Sequence, residues 1–240
     1  MEGIGLQPLK NKTYRWYTLV TAIFVTTLIV SNIIAVKLVQ IDVIIVPAAV
    51  IIFPVAYIFG DILTEVYGYA RARQAIWIGF LCNLLAVIAI WVAGLLPAAP
   101  FWVIGSYTSA ELSQQAYQAV LGFTPRLLLA SFAAYLVGEF LNSFVLARLK
   151  VKTSGRLLWL RTITSTLVGQ AADSAIFISI AFWSILPSYA LFQAILSQWT
   201  LKVLYEVIVT PLTYIIVNRL KRAENEDFFD RDTNFNPISL

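Results

Sequence analysis

The sequence predicts an all-α, polytopic membrane protein of six transmembrane helices with both termini on the cytoplasmic side. Three observations carry this expectation. Of 240 residues, 60% are hydrophobic and 12% charged, against roughly a quarter charged in soluble domains, so the polar surface is too small to cover such a core in water. Apolar runs of about 20 residues recur along the chain, the length at which a helix crosses a hydrocarbon layer of about 30 Å. The basic residues fall in alternate connections between those runs, the asymmetry that sets orientation in a membrane. One membrane domain, 16–220, is therefore expected between a cytoplasmic segment, 1–15, and a cytoplasmic polar tail, 221–240.

Helix one is bracketed by Arg15 and Lys37, with no charge between them. A second run starts near Val43, carries Pro47 and Pro54, and continues through Asp61 and Glu65 before Gly68 and Arg71 end it. The third lies between Arg73 and Pro97. The stretch from Pro97 to Pro125 mixes Pro, Gly, Trp and Tyr with Glu111, Gln114 and Gln115, and reads as an interfacial loop or short helix. Pro125 suits the first turn of helix four, which runs to about Ala147. Arg148, Lys150, Lys152, Arg156 and Arg161 follow it. Helix five covers about Thr162 to Leu186, and helix six about Tyr189 to Val217, with Pro211 inside it. The tail after Lys221 is expected to be poorly ordered. With the N-terminus inside, 14 of the 17 basic residues lie in cytoplasmic segments or at their helix ends.

Composition also excludes function classes. With the single Cys82 and no histidine, the chain has no disulfide framework and no conventional zinc site, and no cofactor is expected. The net charge of +4 belongs to residues beside the apolar runs, where lipid headgroups explain it without nucleic acid. The first apolar run already has spanning length, so a cleaved leader is not expected. No G-x-x-x-x-G-K-[ST] sequence is present for ATP. An intramembrane enzyme or scaffold ranks last, because H-E-x-x-H is absent and an aspartyl dyad of Asp61 with Asp173 has no supporting motif.

Ionisable groups at mid-bilayer cost about 2.5–3.5 kcal/mol each on insertion scales, so they face partners, cavities or pathways. Eight such polar groups stand out: Asp61 and Glu65, Glu139 and Asn142, Gln170 and Asp173, Lys202 and Glu206. Glu139 and Asn142 are three apart, as are Gln170 and Asp173, so each pair shares a helix face. Lys202 is positioned to neutralise either Glu206, four residues on, or Asp173. Asp61 and Glu65 are either a helix end with Arg71 or Arg73 as counter-ions, or functional acids. Asn32 and Arg126, near the outer ends of helices one and four, serve as interfacial anchors, a helix cap or ligand contacts. Phe177 and Trp183 are the aromatic candidates on helix five, although aromatic residues at membrane surfaces are mostly belt residues.

The segments PVAYIFGDILTEVYGYARAR, GEFLNSFVLARLK, STLVGQAADSAIFISIAF and KVLYEVIVTPLTY together resemble the queuosine precursor transporter family, a vitamin-uptake-like group of six-helix membrane proteins. The likeness spans nearly the whole membrane domain, and the helix-five segment is its most specific part. It implies import of 7-deazaguanine compounds such as preQ0, preQ1 or queuine through the cell inner or plasma membrane, by alternating access. By position it implies substrate-binding roles for Asp61, Gln170, Asp173 and Lys202, with Glu139, Asn142, Glu206 and Asn32 beside them. The six-helix architecture also resembles the substrate-binding S component of energy-coupling-factor vitamin transporters, which would require an ATPase module. Such subunits often dock through an Ala-x-x-x-Ala face on helix one. Here Ala22 is followed at that spacing by Thr26, and Ala35 is preceded by Ser31. A homo-oligomer is the other partner arrangement considered, alongside the lipid bilayer itself.

Overall fold

The computed structural model describes residues 13–41, 44–122 and 125–239. In chain order it contains α1 (Tyr17–Ile34), β1 (Leu38–Ile41), β2 (Ile44–Pro47), a 3-10 turn (Ala48–Ile51), α2 (Phe53–Tyr67), α3 (Tyr69–Leu95), α4 (Ala110–Leu121), α5 (Pro125–Lys152), α6 (Leu158–Phe182) and α7 (Ser188–Glu224). Among the described residues, five stretches are long and apolar enough to cross a membrane. They are α1, α3, the stretch Ala110–Lys152 that holds α4 and α5, α6 and α7. At 15 residues α2 is about 22 Å long, shorter than a full crossing.

Helix two therefore starts later than the sequence reading placed it. The Val- and Ile-rich stretch before Pro47 forms an antiparallel hairpin, pairing Leu38 with Pro47 and Ile41 with Ile44, and is a local exception to an all-helical chain. β-branched residues favour a pleated surface, and Pro54, which has no N–H to donate, falls in the first turn of α2, where none is needed. Gly68, at φ +82°, then separates α2 from α3. A Cβ there would lie 2.3 Å from Cδ1 of Phe228, so the turn needs glycine for space as well as for conformation.

The interfacial stretch holds α4, whose start is capped by Ser109 Oγ accepting the Leu112 N–H. Its side chains close the end of α3. Gln114 and Gln118 donate to the Gly94 carbonyl, and Tyr117 donates to that of Ile90. Helix α7 runs past Val217 to Glu224, and at 37 residues it is about 55 Å long, well beyond a bilayer core.

Residues 14–16, the tail after α7, the α2–α3 turn and the α5–α6 connection meet at one end of the bundle, here named the basic end. Glu224 accepts the N–H groups of Arg15 and Trp16 at 3.1 and 2.6 Å and the Tyr67 hydroxyl at 3.1 Å. The expectation of a poorly ordered tail is overturned, because residues 225–239 pack back across this end. The Phe228 N–H donates to the Val66 carbonyl. Asp230, 1% exposed, accepts the Tyr69 N–H at the start of α3. Arg73 donates to the carbonyls of Asn234 and Asn236, Trp77 donates to that of Pro237, and Arg148 lies 4.3 Å from the Phe235 ring centroid. The tail is polar in composition, yet its aromatic and acidic residues match groups that the helix ends leave unsatisfied. Burial raises the Asp227 carboxyl pKa, but its bonds to Lys150 and Lys221 outweigh this and hold it below the ordinary value.

Candidate functional site

The site is built on the contact between α5 and α6, which requires glycine on both helices. A Cβ on Gly138 would lie 2.8 Å from the Asp173 Cβ, and one on Gly169 would lie 2.8 Å from both the Asn142 Cβ and the Gly138 carbonyl. Small residues at such crossings let membrane helices approach until backbone meets backbone. The polar face of α5, with Glu139, is thereby set against the polar face of α6, with Gln170 and Asp173.

Around this contact lies a cavity of about 340 Å³. It is lined by Asn32 from α1, Tyr57 from α2, Asn83 from α3, Tyr135 and Glu139 from α5, Gln170, Asp173 and Phe177 from α6, and Gln198 and Lys202 from α7. These residues occupy the half of each helix away from the basic end. A second chamber of about 310 Å³ shares Asn32, Asn83, Ser131 and Phe177 and continues in that direction past Val36, Leu127 and Phe182.

Five of the eight predicted site residues thus converge: Asn32, Glu139, Gln170, Asp173 and Lys202. Lys202 forms an ion pair with Asp173 across α6 and α7, which decides between its two sequence-level partners. Asn32 donates from Nδ2 to Oδ1 of Asn83 at 3.2 Å. Glu139 leans on α2, where a Cβ at Gly60 would lie 3.3 Å from its Oε2. The amide oxygens of Gln170 and Gln198 are buried with no hydrogen-bond donor. The cavity wall therefore carries two unpaired acceptors beside the Glu139 carboxylate.

Asp61, Asn142 and Glu206 do not line this cavity. Each lies one turn nearer the basic end than a lining residue of its own helix: Tyr57, Glu139 and Lys202 respectively. Asn142 donates to Asp61 Oδ1 at 2.8 Å. Asp61 Oδ2, Asn142 Oδ1 and both Glu206 oxygens have no donor, and Glu206 is 0% exposed.

One further turn along α2, Glu65 is paired with three cations. Its Oε1 accepts Arg161 Nη2 at 2.7 Å and Lys221 Nζ at 2.6 Å, and Lys150 Nζ lies 3.6 Å away. Lys150 and Lys221 also bridge to Asp227 of the tail. The counter-ions expected for this acid, Arg71 and Arg73, serve elsewhere: Arg71 beside the Tyr14 and Tyr17 rings, Arg73 on the tail. The turn at Gly68 carries both arginines away from the helix interior, whereas α6 and α7 bring Arg161 and Lys221 directly onto α2.

Arg126 is a cap, donating to the carbonyls of Ile180 and Trp183 at the end of α6. Phe177 lines the cavity, while Trp183 is 66% exposed. Sequence reasoning missed Tyr57, Asn83, Tyr135 and Gln198. Three of these were within reach of the pattern, since Tyr57, Tyr135 and Gln198 each precede a selected residue by four on the same helix face. Asn83, alone on α3, had no such signal.

Residues 47–216 match the family model described as "Putative vitamin uptake transporter". A "Probable queuosine precursor transporter" of Bacillus subtilis is 34% identical over 155 residues, 64% of each chain. A protein of the same name from Haemophilus influenzae is 31% identical over 132 residues, 55% of this chain and 49% of its own. The "Queuosine precursor transporter" of Escherichia coli is 26% identical over 172 residues, 70% of this chain and 71% of its own. The chain spans less than two thirds of the length of the first two relatives. No solved structure matches. With the matched region running from the end of the hairpin through α2 to α6 and most of α7, which supply the cavity lining outside the α1 segment, the chain is a multi-pass membrane protein that belongs to this vitamin uptake transporter family.

Proposed function

We propose that the protein imports queuosine precursors, 7-deazaguanines such as preQ0, preQ1 or queuine, through the plasma membrane by alternating access. The observation that carries this reading is the Glu139 carboxylate at the cavity wall, with no cation of its own among the described residues, beside the unpaired amide oxygens of Gln170 and Gln198. A guanine-like edge presents adjacent N–H donors that one carboxylate accepts in parallel. Asp173, already neutralised by Lys202, is the weaker acceptor. Phe177 and Tyr57 supply faces for a flat ring, and a cavity of this size lies within the range of small-molecule sites. The names of the three relatives point to the same substrate class.

In this reading α2, extended by the hairpin before it, is the second of six spans, and the domain covers residues 16–220. Both termini then lie in the cytoplasm with the basic end, where the positive-inside bias supports them. The protein is a carrier and not an enzyme, with binding residues Asn32, Glu139, Gln170, Asp173 and Lys202.

Calorimetric titration of the purified protein with preQ0, preQ1, queuine, guanine and adenine tests the reading. At least one 7-deazaguanine is expected to bind and adenine to fail, because its exocyclic donor adjoins a ring acceptor. Equal binding of adenine, or no binding of any 7-deazaguanine, refutes it. Copurification of an ATPase module would replace autonomous transport by an S-component mechanism.

A further inference from the structure

The layer beneath the cavity contains two buried acids with no positive partner among the described residues. Asp61 on α2 is 1% exposed and Glu206 on α7 is 0% exposed. The two acids stand on helices that pack together, α2 and α7, with Glu65 one turn further along α2 and Glu139 one turn above Asn142 on α5. Every other charge around them adds to the problem or is already engaged. Lys202, one turn above Glu206, pairs with Asp173. Arg161 and Lys221, and more distantly Lys150, are held by Glu65. Tyr57, one turn above Asp61, contributes no positive charge.

A second observation indicates what the layer receives. The Asn142 amide is 7% exposed and anchored by Nδ2 on Asp61, yet its Oδ1 has no donor, as is true of Asp61 Oδ2 and both Glu206 oxygens. Four oxygens on three helices thus face the buried interior, with no Lys or Arg among the described residues bonded to them. Uncompensated charge costs several kcal/mol in such surroundings, and buried oxygen acceptors without donors are rare in native proteins. Oxygen ligands of this kind suit a proton or a hard monovalent cation.

We propose that Asp61, Glu206 and Asn142 form a binding site for one monovalent cation, H⁺ or Na⁺, that is coupled to the substrate cavity. Three helices connect the layers. Asp61 follows the cavity residue Tyr57 by one turn on α2, Asn142 follows Glu139 on α5, and Glu206 follows Lys202 on α7. A cation arriving below the cavity therefore acts on the same three helices that grip the substrate. The proposal rests on the transport reading for its coupling, though not for the cation site itself.

Two measurements separate these parts. Infrared difference spectra of purified protein, without substrate, are recorded on a pH step and on adding NaCl at fixed ionic strength. A protonated-carboxyl band in the wild type that is lost in Glu206→Gln or Asp61→Asn identifies the proton. A Na⁺-dependent carboxylate shift lost in the same variants identifies sodium. Absence of both overturns the site, whatever the protein transports.

Uptake of preQ0, which is uncharged, is then measured in proteoliposomes under an inward tenfold gradient of the identified ion, with the membrane potential held at zero by K⁺ and valinomycin so that the charge carried in is balanced. One cation per substrate supports about tenfold accumulation, since one pH unit or its equivalent corresponds to a factor of ten. Glu206→Gln is expected to equilibrate preQ0 to a ratio near one without concentrating it. Wild-type protein that equilibrates preQ0 but ignores the gradient overturns coupling. If wild-type protein neither binds nor moves any 7-deazaguanine, the substrate assignment fails while the spectra still decide the cation site.

Discussion

Replacing Glu65 by glutamine removes the charge that holds the basic end together, and the structure sets the size of the effect. Glu65 is 0% exposed and its Oε1 serves Arg161 Nη2 and Lys221 Nζ, with Lys150 close by. Lys150 and Lys221 retain Asp227 after the substitution. Arg161 does not: its remaining bonds are to the Thr153 hydroxyl and the Arg156 carbonyl, neither of them charged. One guanidinium, 1% exposed, is therefore left in the interior without an anion. Breaking a buried pair by removing one partner costs about 3–5 kcal/mol. A chain of 150–250 residues loses about 2–4 °C of Tm per kcal/mol, which makes the expected fall about 6–20 °C. Cys82, the one cysteine, is partly buried on α3, so its reaction with a fluorogenic maleimide during heating in detergent reports unfolding. Lys221→Gln, removing a partner that is 18% exposed, is expected to cost under about 1 kcal/mol. Glu65→Gln melting within about 2 °C of wild type would refute the claim that this carboxylate holds the helix ends together.

Glu139→Gln keeps one acceptor but turns an N–H₂ toward a substrate donor, so preQ0 affinity should fall by about 2–4 kcal/mol, or roughly 30- to 800-fold in Kd, by calorimetry. Lys202→Ala leaves Asp173 without its cation and is expected to weaken binding of uncharged preQ0 more than that of preQ1, whose aminomethyl cation can replace the lysine. Comparison of the two ligands in one titration series checks this. Gly68→Ala meets both the φ of +82° and the Phe228 ring, so the tail should detach and be cleaved by trypsin at Arg231 much faster than in the wild type. Gly169→Val drives its side chain into Asn142 and the Gly138 carbonyl, and should abolish ligand binding by separating α5 from α6 even where the protein still inserts.

Much of this arrangement was legible in the chain because lipid makes polar residues conspicuous. Six buried or half-buried polar groups at three- or four-residue spacing on α5, α6 and α7 announced their faces, and the structure brings those faces together. The beginning of α2 was not legible, because a Val- and Ile-rich run reads equally as an apolar span or as strand, and only Pro47 hinted at the difference. The partners of Glu65 were misread for a different reason. Arg71 and Arg73 are near in sequence, but a residue at φ +82° between them and the acid redirects the chain, and sequence distance carries no information about Arg161 or Lys221. The docked tail eluded a compositional argument altogether. Phe228, Asp230 and Phe235 lie in a polar, acidic stretch, and their value comes from complementary groups on α2, α3 and α5.

Taken by level along the bundle, the charges are unequally balanced, and the imbalance suggests how the two ends communicate. The cavity level carries Glu139 and Asp173 against Lys202, the basic level carries Glu65 and Asp227 against Arg161, Lys150 and Lys221, and the layer between them has Asp61 and Glu206 against no cation among the described residues. At ordinary ionisation the middle layer pulls on the surplus cation below it, and in a dry interior that attraction is far stronger than in water. Helices α2 and α7 carry members of both layers, so in the proposed transport cycle this pull favours closure of the basic end. In that cycle the proposed cation at the middle layer weakens the pull, leaving the Glu65 cluster and the docked tail as the remaining closures. On the proposed coupling, opening toward the basic end becomes easier when the ion site is filled, and the substrate leaves in the same direction as the ion.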